Sequence, residues 1–152
     1  RRNTYIIADN YNTSNKSHKD LPPSINLKQL HSCNFIENNK YIIMKFIEGE
    51  AITVDVIAKE GNLKLFLARK WNKPWRFPFP GQKIINDMRI KELVKKLCKY
   101  YCLNGLIDFD LIRNEKGIYL LEINPRPSGS LFFSEQQGFK VIKKLNKILL
   151  SA

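Results

Sequence analysis

The stretch that decides the fold reads GLIDFDLI at residues 105–112, RNEKG at 113–117 and IYLLEINPR at 118–126. Two apolar runs rich in β-forming residues flank a turn that ends in glycine, and this pattern predicts a β-hairpin. A three-residue loop at 115–117, with Gly117 in the left-handed conformation, is a favoured connection. This loop would pair Asn114 with Ile118.

The predicted pairing gathers acidic side chains on one face of the hairpin. Side chains alternate along a strand and opposed residues share a face, so the register sets Asp110 opposite Glu122 and Asp108 opposite Asn124. The polar face of a half-buried hairpin usually mixes Thr, Ser and Lys, whereas here it carries three carboxylates and an amide. The other face is apolar and is predicted to lie on the core: Ile107, Phe109, Leu111, Tyr119, Leu121 and Ile123.

Opposed carboxylates carry an electrostatic cost. At a separation of about 5 Å they repel by roughly 3 kcal/mol at an effective dielectric constant near 20. A cation or a shared proton would relieve this repulsion, and a set of oxygen ligands suits Mg²⁺ better than zinc or copper. A solvated acidic face, or one paired with nearby Lys and Arg, fits the same spacing. From the residues alone both interpretations remain open.

The same strands carry a family resemblance. Gly-x-x-Asp-x-Asp at 105–110, followed by YLLEINPRPSGS at 119–130, resembles the C-terminal subdomain of ATP-grasp enzymes. Among these it is most similar to the carbamoyl-phosphate synthetase large subunit and its relatives. The resemblance implies an α+β fold, in which an antiparallel β-sheet has helices packed on one face.

The resemblance also implies roles for individual residues. Glu122 and Asn124 would bind Mg²⁺, or Mn²⁺ in its place, and reach the phosphates of ATP. Asp110 would complete the set of metal ligands, and Arg126 would clamp phosphate, so that Arg126 and Asn124 take part in catalysis. Asp108 stands where relatives often carry Asn, and is expected to contact the nucleotide.

A second match lies upstream, where residues 41–50 read YIIMKFIEGE. From the residues alone, 41–47 is a buried strand with Phe46 in the core. The segment resembles the ATP-grasp hinge, whose backbone hydrogen-bonds the adenine edge, and Lys45, Phe46 and Ile47 match those positions. Lys45 departs from the family pattern, which has Glu near the adenine amine.

Two further positions are expected to contact the nucleotide. The acid that holds the ribose in relatives falls near Ala51, with Glu50 one residue earlier, so ribose recognition rests on an imperfect match. Arg69 and Lys70 resemble a basic pair that often faces the active site. A solvated strand end explains Arg69 and Lys70 equally well.

The flanking sequence predicts four more elements. Residues 52–58 and 63–69 form a second hairpin, and Asn86 or Asp87 caps a helix that stops at 104–105. Ser134 begins a capping-box pattern for a final helix. The apolar stripes of these two helices are predicted to be Ile90, Leu93, Val94, Leu97, Cys98 and Tyr101, and Phe139, Ile142, Leu145 and Leu149.

Length and composition bound the class of protein. The chain has 152 residues, 43% of them hydrophobic, which suits one domain or a large part of one. It contains neither a signal-peptide pattern nor an apolar run of the roughly 18 residues that a membrane span needs, so a cytoplasmic protein is expected. Three cysteines without metal-finger spacing predict buried thiols.

The positive net charge makes nucleic acid an alternative partner. A net charge of +12 attracts polyanions, but the lysines are scattered and the sequence contains no nucleic-acid-binding motif. Those on the two predicted helices lie off the apolar stripes and are expected to be solvated. Nucleic acid is therefore the weaker alternative to a nucleotide and a small-molecule carboxylate substrate.

The first forty residues carry no counterpart of the other ATP-grasp lobe. They contain no glycine, whereas that lobe supplies a glycine-rich phosphate loop and a Lys in relatives. We expect residues 1–40 to be the tail of a preceding lobe or an irregular lead-in, 41–152 to be the C-terminal subdomain, and the chain to be part of a longer ligase. Such a part would need the missing lobe or a partner subunit for activity. A non-catalytic ATP-grasp remnant is the alternative.

Overall fold

The computed structural model describes residues 6–7, 24–25, 45–71 and 81–150, and the chain divides into two compact units at Ile47/Glu48. In the first unit β1 (Ile6–Ile7) pairs in parallel with β2 (Ser24–Ile25). The sequence of 4–8 predicts a strand and that of 24–30 a short helix capped by Ser24; the strand is confirmed at Ile6–Ile7, whereas the helix start is wrong because Ser24 and Ile25 lie in a strand. The assignment of 1–40 to a preceding lobe stays a prediction.

The second unit is built on a five-stranded antiparallel sheet in the order β5-β4-β3-β6-β7. Its strands are β3 (Glu50–Lys59), β4 (Asn62–Trp71), β5 (Gln82–Ile85), β6 (Gly105–Asn114) and β7 (Gly117–Asn124). Its helices are α1 (Met88–Tyr100), α2 (Leu131–Gln136) and α3 (Val141–Leu150). Both predicted hairpins and the α+β class are confirmed, and β5 is an additional strand.

Helix α1 covers one face of this sheet. Alternate residues of the central strand β3 point to that face, where they are almost completely buried against residues of β6 and α1. This core consists of Ile52, Val54, Val56, Ala58, Ala68, Ile90, Val94, Cys98, Ile107, Phe109 and Leu111. The helix stripe is confirmed in its centre, but Tyr101 is 55% exposed and does not belong to it.

Helices α2 and α3 cover part of the opposite face, so the sheet has helices on both sides and not on one face alone. Ile57 of β3 and Leu67 of β4 pack there against Leu131 and Val141. This apolar cluster occupies one end of the face, and polar residues of β3, β4 and β6 lie next to it. None of the described helices has the length and apolar character needed to cross a membrane.

The β6–β7 hairpin reaches its predicted register by a different route. Its turn has two residues, 115–116, and Asn114 pairs with Gly117 and not with Ile118. A β-bulge then adds Leu121 to β7, and the added residue restores the pairing of Asp110 with Glu122 and of Asp108 with Asn124.

The bulge changes which side chains of β7 face the core. Leu120, not Leu121, lies opposite Leu111, and Tyr119 lies opposite Ile112. Leu121 is 46% exposed. The prediction that Tyr119 and Leu121 lie on the core face is therefore wrong, because it assumed unbroken alternation along the strand.

The segment predicted as one final helix forms two. Ser134 lies inside α2, and Gly138 and Lys140 take positive φ values of 86° and 48° between the helices. Val141 is buried whereas Ile142 is 43% exposed, so the predicted stripe is shifted by one position at its start. Leu145 packs on the apolar cluster as predicted.

Candidate functional site

The polar part of the sheet face opposite α1 is assembled from four adjacent strands. Cross-strand pairing puts Arg69, Thr53, Asp110 and Glu122 in one row and Leu67, Asp55, Asp108 and Asn124 in the next. Opposed residues share a face, so the three predicted metal ligands lie on one side of the sheet. We call Asp108, Asp110, Glu122 and Asn124 the acidic face.

Hydrogen bonds order the exposed half of the acidic face. The Asn124 amide donates to Glu122 Oε1 at 2.9 Å, and the Thr53 hydroxyl donates to Asp110 Oδ1 at 3.3 Å. Glu122 is exposed and Asp110 and Asn124 are half-buried, so all three can be reached from solvent. The side chains predicted to act together are brought together.

Asp108 is the buried member of the acidic face. Its side chain is 3% exposed, and its Oδ1 has no hydrogen-bond partner among the described residues. Burial, followed by repulsion from Asp110 and Asp55, raises the pKa of Asp108 to about 7, although Arg126 and Arg69 oppose the rise. A carboxylate in this position requires a cation or a proton.

Arg126 lies at the edge of the acidic face. Its Nη1 is 3.7 Å from Asp108 Oδ2 and donates to the Pro127 carbonyl at 3.1 Å, and the residue is 57% exposed. The backbone turns tightly here, since the Arg126 N–H donates to the Asn124 carbonyl at 2.7 Å. The guanidinium therefore retains exposed N–H groups beside the carboxylates.

Arg69 lies on the same face but is 1% exposed. Its Nη2 donates to Asp55 Oδ2 and, at 2.8 Å, to Ser128 Oγ. Its Nη1 donates to the Ser134 hydroxyl at 2.8 Å and to the Ser130 carbonyl at 3.0 Å. The structure thus gives Arg69 an internal role, and the expectation that it contacts the nucleotide does not fit this burial.

Glu50 lies on the other face of the sheet. It pairs with Arg113 of β6 on the α1 side, and its carboxylate contacts Lys70 Nζ at 2.9 Å and Arg113 Nη2 at 2.5 Å. The hydrogen bond from Arg113, followed by that from Lys70, lowers the pKa of Glu50. The structure does not bring Glu50 together with the acidic face, because strand alternation separates them.

Lys45, Phe46 and Ile47 belong to the first unit. They are not part of a strand, and Phe46 is 44% exposed, so the predicted buried strand is wrong for these three residues. Tyr41 to Met44 lie outside the described residues, as does Cys33. Of the other thiols, Cys98 is buried as predicted and Cys102 is exposed, and both are free.

The acidic face fits a divalent cation in its donor chemistry. Among the described residues, no three His, Cys, Asp or Glu side chains converge closely enough to hold a metal ion by themselves. Mg²⁺ is usually held by one or two carboxylates together with water and substrate phosphates, so a closed protein cage is not required. Two solvent-facing carboxylates, an amide oxygen and the unpartnered Asp108 oxygen match that mode.

Sequence reasoning missed the contacts around Asp55. Its Oδ1 accepts the Ser128 N–H at 2.9 Å and its Oδ2 accepts the Ser128 hydroxyl at 2.7 Å, and both residues are buried. The sequence signals were that Asp55 matches a common acid of the resembled family with a structural role, and that 127–130 is a tight turn whose amides and hydroxyls suit phosphate or substrate. The bonds to Asp55 occupy the amide and hydroxyl of Ser128, so the second interpretation is wrong for Ser128.

A comparison with known protein families shows to which family the chain belongs. Residues 37–151 match a family model described as ATP-grasp in the biosynthetic pathway with Ter operon. The chain belongs to the ATP-grasp family. This ATP-grasp chain carries the Glu-x-Asn-Pro-Arg segment on β7 and the turn that follows it, within the matched range.

Curated relatives are ligases and synthases. The chain is 31% identical to tyramine–L-glutamate ligase of Methanocaldococcus jannaschii over 144 residues, which covers 89% of this chain and 44% of that protein. It is 25% identical to the carbamoyl phosphate synthase large chain of Clostridium botulinum over 126 residues, which covers 76% of this chain and 12% of that protein. The chain thus spans less than half the length of either.

Solved structures with a related chain path include a D-alanine–D-alanine ligase from Bacillus anthracis complexed with ATP. It shares 20% identity at a TM-score of 0.46 and covers 68% of this chain and 38% of that one. A phosphoribosylglycinamide synthetase from Anaerococcus prevotii covers 55% of this chain and 24% of that one, with 14% identity and a TM-score of 0.41.

Proposed function

We propose that the acidic face is the magnesium- and phosphate-binding surface of an ATP-dependent carboxylate–amine ligase. The observation that carries the proposal is the common face of Asp110, Glu122 and Asn124, next to an oxygen of buried Asp108 that has no hydrogen-bond partner in the described part of the chain. Family membership supports an ATP-dependent ligase. The chain spans part of its relatives, so the activity is proposed for the protein that contains it.

The chain's own residues act by position and charge. Asp110, Glu122 and Asn124 would hold Mg²⁺, which supplies neutralisation of the charge that develops during phosphoryl transfer. Arg126 projects a fixed cation that binds phosphate oxygens. A substrate carboxylate would attack the γ-phosphoryl group, release ADP and form an acyl phosphate. The amine would then displace inorganic phosphate from the acyl carbon.

The part proposed for the carboxylates is to hold the metal. Loss of Glu122 or Asp110 from the set would weaken Mg²⁺ binding, and with it the neutralisation of the transferring phosphoryl group, and no side-chain nucleophile is needed. That the backbone of Lys45 to Ile47 contacts adenine stays a prediction.

The proposal is tested by Glu122→Gln and Asn124→Ala in the full native protein. The assay measures the release of ADP that depends on a carboxylate and an amine. L-glutamate and tyramine are tried first, because one relative is named tyramine–L-glutamate ligase. The rate of ADP release is expected to fall by about 100-fold or more in both variants. Glu115→Gln is the matched control, because Glu115 lies in the exposed turn of the same hairpin. Wild-type rates for Glu122→Gln, with the thermal midpoint unchanged, would refute the assignment.

A non-catalytic remnant of the family is the second candidate. The ion-paired Glu50 favours it, because the structure assigns that acid a contact other than ribose. The remnant predicts Mg²⁺-dependent nucleotide binding without ADP release, so the same assay separates the two functions.

A further inference from the structure

A buried polar cluster lies next to the acidic face, on the same side of the sheet. It consists of Asp55 on β3, Arg69 on β4, Ser128 and Ser130 in the turn after β7, and Ser134 in α2. All five side chains are 7% exposed or less. Asp55 pairs with Asp108 across β3 and β6, so the cluster shares a sheet face with the candidate site.

The cluster joins the centre of the sheet to the segment that carries Arg126. Ser128 is held through three contacts, since its N–H and hydroxyl both donate to Asp55 and its Oγ accepts from Arg69. Arg69 also donates to the Ser130 carbonyl, which lies at the start of α2. The turn is therefore fixed from the sheet side.

Arg126 lies in a short bridge between two fixed points. Asn124 is held at the end of β7 by its pairing with Asp108, and Ser128 is held by Asp55. Only three residues, Pro125, Arg126 and Pro127, separate them, and each proline restricts its own φ to a narrow range. Fixing both ends of such a bridge fixes the origin of the Arg126 side chain.

The Asp55–Arg69 ion pair contributes directed hydrogen bonds more than it contributes stability. A buried ion pair stabilises a fold little compared with apolar residues of the same volume, because both charges must be desolvated. Burial lowers the pKa of the Arg69 guanidinium, and the neighbouring Asp55 carboxylate opposes that effect. What an apolar replacement could not supply is the set of directed hydrogen bonds to Ser128, Ser130 and Ser134.

We propose that Asp55 and Arg69 are positioning residues that hold Ser128 and thereby set Arg126 beside the acidic face. This proposal rests on the proposed function, because Arg126, the residue that Asp55 and Arg69 position, is the one proposed to bind phosphate. Neither residue touches the nucleotide.

Two serines provide a matched pair of variants for the test. Ser128→Ala and Ser134→Ala each remove a buried hydroxyl that lies 2.8 Å from an Arg69 nitrogen, and Ser134 is the more buried of the two. Only Ser128 ends the bridge that carries Arg126. Arg69→Ala is unsuitable, because it would leave the Asp55 carboxylate buried without its partner and could unfold the domain.

The first measurement is the affinity of the full native protein for Mg-ATP, with the thermal midpoint of each variant as reference. Ser128→Ala is expected to weaken binding by about 10-fold, whereas Ser134→Ala changes it by less than about twofold. Ser128→Thr, which keeps a hydroxyl, is expected to recover most of the loss. The proposal is overturned if both alanine variants lose affinity equally and in proportion to the fall in their thermal midpoints. The cluster would then have a structural role only.

The second measurement separates this proposal from the proposed function. Amide hydrogen exchange at Arg126 and Ser128, measured without nucleotide, is expected to accelerate in Ser128→Ala while the amides of β3 keep their protection. If the exchange at Arg126 is the same in both alanine variants, the positioning proposal fails even where Mg-ATP binds. If the wild-type protein does not bind Mg-ATP, the proposed function fails, and the exchange comparison still decides whether the cluster holds the bridge.

Discussion

Cys102 takes a backbone conformation that suits glycine. It follows the last turn of α1 with φ +49°, and the bonds Leu103 N–H to the Cys98 carbonyl and Cys102 N–H to the Lys99 carbonyl form a Schellman motif. The sequence predicted that the helix stops at 104–105, because Gly105 is the nearest glycine. The helix instead ends at Tyr100, and a cysteine accepts the left-handed position.

We predict that Cys102→Gly stabilises the protein by about 1 kcal/mol, because glycine adopts this conformation without the steric cost that a Cβ imposes. Chemical denaturation with a fixed reductant concentration measures the change. Cys102→Ala is the control, since it removes the thiol but keeps the Cβ, and should leave the free energy of unfolding nearly unchanged. A gain of equal size in both variants would attribute the effect to the thiol.

The pairing within the acidic face was predicted correctly although one assumption behind it was wrong. Unbroken alternation from a three-residue loop placed Asp110 opposite Glu122, and the structure reaches the same pairing through a two-residue turn and a bulge. The burial of Asp108 and Arg69 was not predictable in the same way. It depends on α2 and the turn before it folding back over the sheet, and these contacts are about 60 positions apart in sequence, as the separation of 61 between Arg69 and Ser130 illustrates.

At the scale of elements, a group of ion pairs fastens the start of α1 to the sheet. Arg113 of β6 contacts Asp87, the N-cap of α1, at 2.7 Å and Glu50 of β3 at 2.5 Å. Burial acts to raise the pKa of Asp87, but the hydrogen bonds from Arg113 and Arg89 outweigh it and lower the pKa. Both carboxylates therefore favour the charged form in the folded protein.

The pH dependence of stability follows from those directions. Groups whose folded-state pKa is depressed contribute fully above the unfolded values, near pH 4, and lose the contribution as the pH falls through the folded-state values. We predict that Arg113→Met lowers the free energy of unfolding by about 1 to 2 kcal/mol at pH 7, and that the difference from wild type shrinks below pH 4. Urea titrations at pH 7, 5 and 3 measure it.

Arg89→Met serves as the control for this series. Arg89 also contacts Asp87, at 3.4 Å, but its side chain is 75% exposed, so its removal should change stability little at any of the three pH values. A difference between Arg113→Met and wild type that stays constant down to pH 3 would contradict the electrostatic explanation.

The elements themselves were predicted with uneven success for physical reasons. Strands β3, β4, β6 and β7 carry apolar alternation or continuous apolar runs between turn signals, and they form as expected. The capping-box pattern at Ser134 failed because the Ser134 hydroxyl accepts from Arg69, a tertiary contact that local sequence does not encode. Strand β5 was missed because Gln82–Ile85 is short and owes its existence to pairing with β4.

At the scale of the whole molecule, two features favour different ligands. The net charge of +12 favours nucleic acid, whereas the acidic face favours Mg-ATP. Association with nucleic acid through scattered lysines releases counterions, so its affinity falls steeply with salt. Mg-ATP bound at the acidic face depends on the metal and on local contacts that salt screens less.

We therefore predict that raising KCl from 50 to 200 mM weakens binding of a mixed-sequence oligonucleotide by about 10-fold or more, and changes Mg-ATP affinity by less than about threefold. Fluorescence anisotropy with labelled oligonucleotide and labelled ATP measures both on the same preparation. Chelation of Mg²⁺ should abolish the second signal and leave the first. Tight oligonucleotide binding that falls steeply with salt, together with no Mg-ATP binding, would favour the nucleic-acid alternative.

The extra residue at Leu121 has an evolutionary consequence. A three-residue loop without a bulge gives the same pairing at the base of the hairpin as a two-residue turn with a bulge. The extra residue lies in the loop in the first case and in the strand in the second. An added residue in the turn can thus be compensated by loss of the bulge, which lies about four residues along the same strand, or roughly 14 Å at about 3.4 Å each. A change of turn length of this kind would leave the paired carboxylates with the same partners.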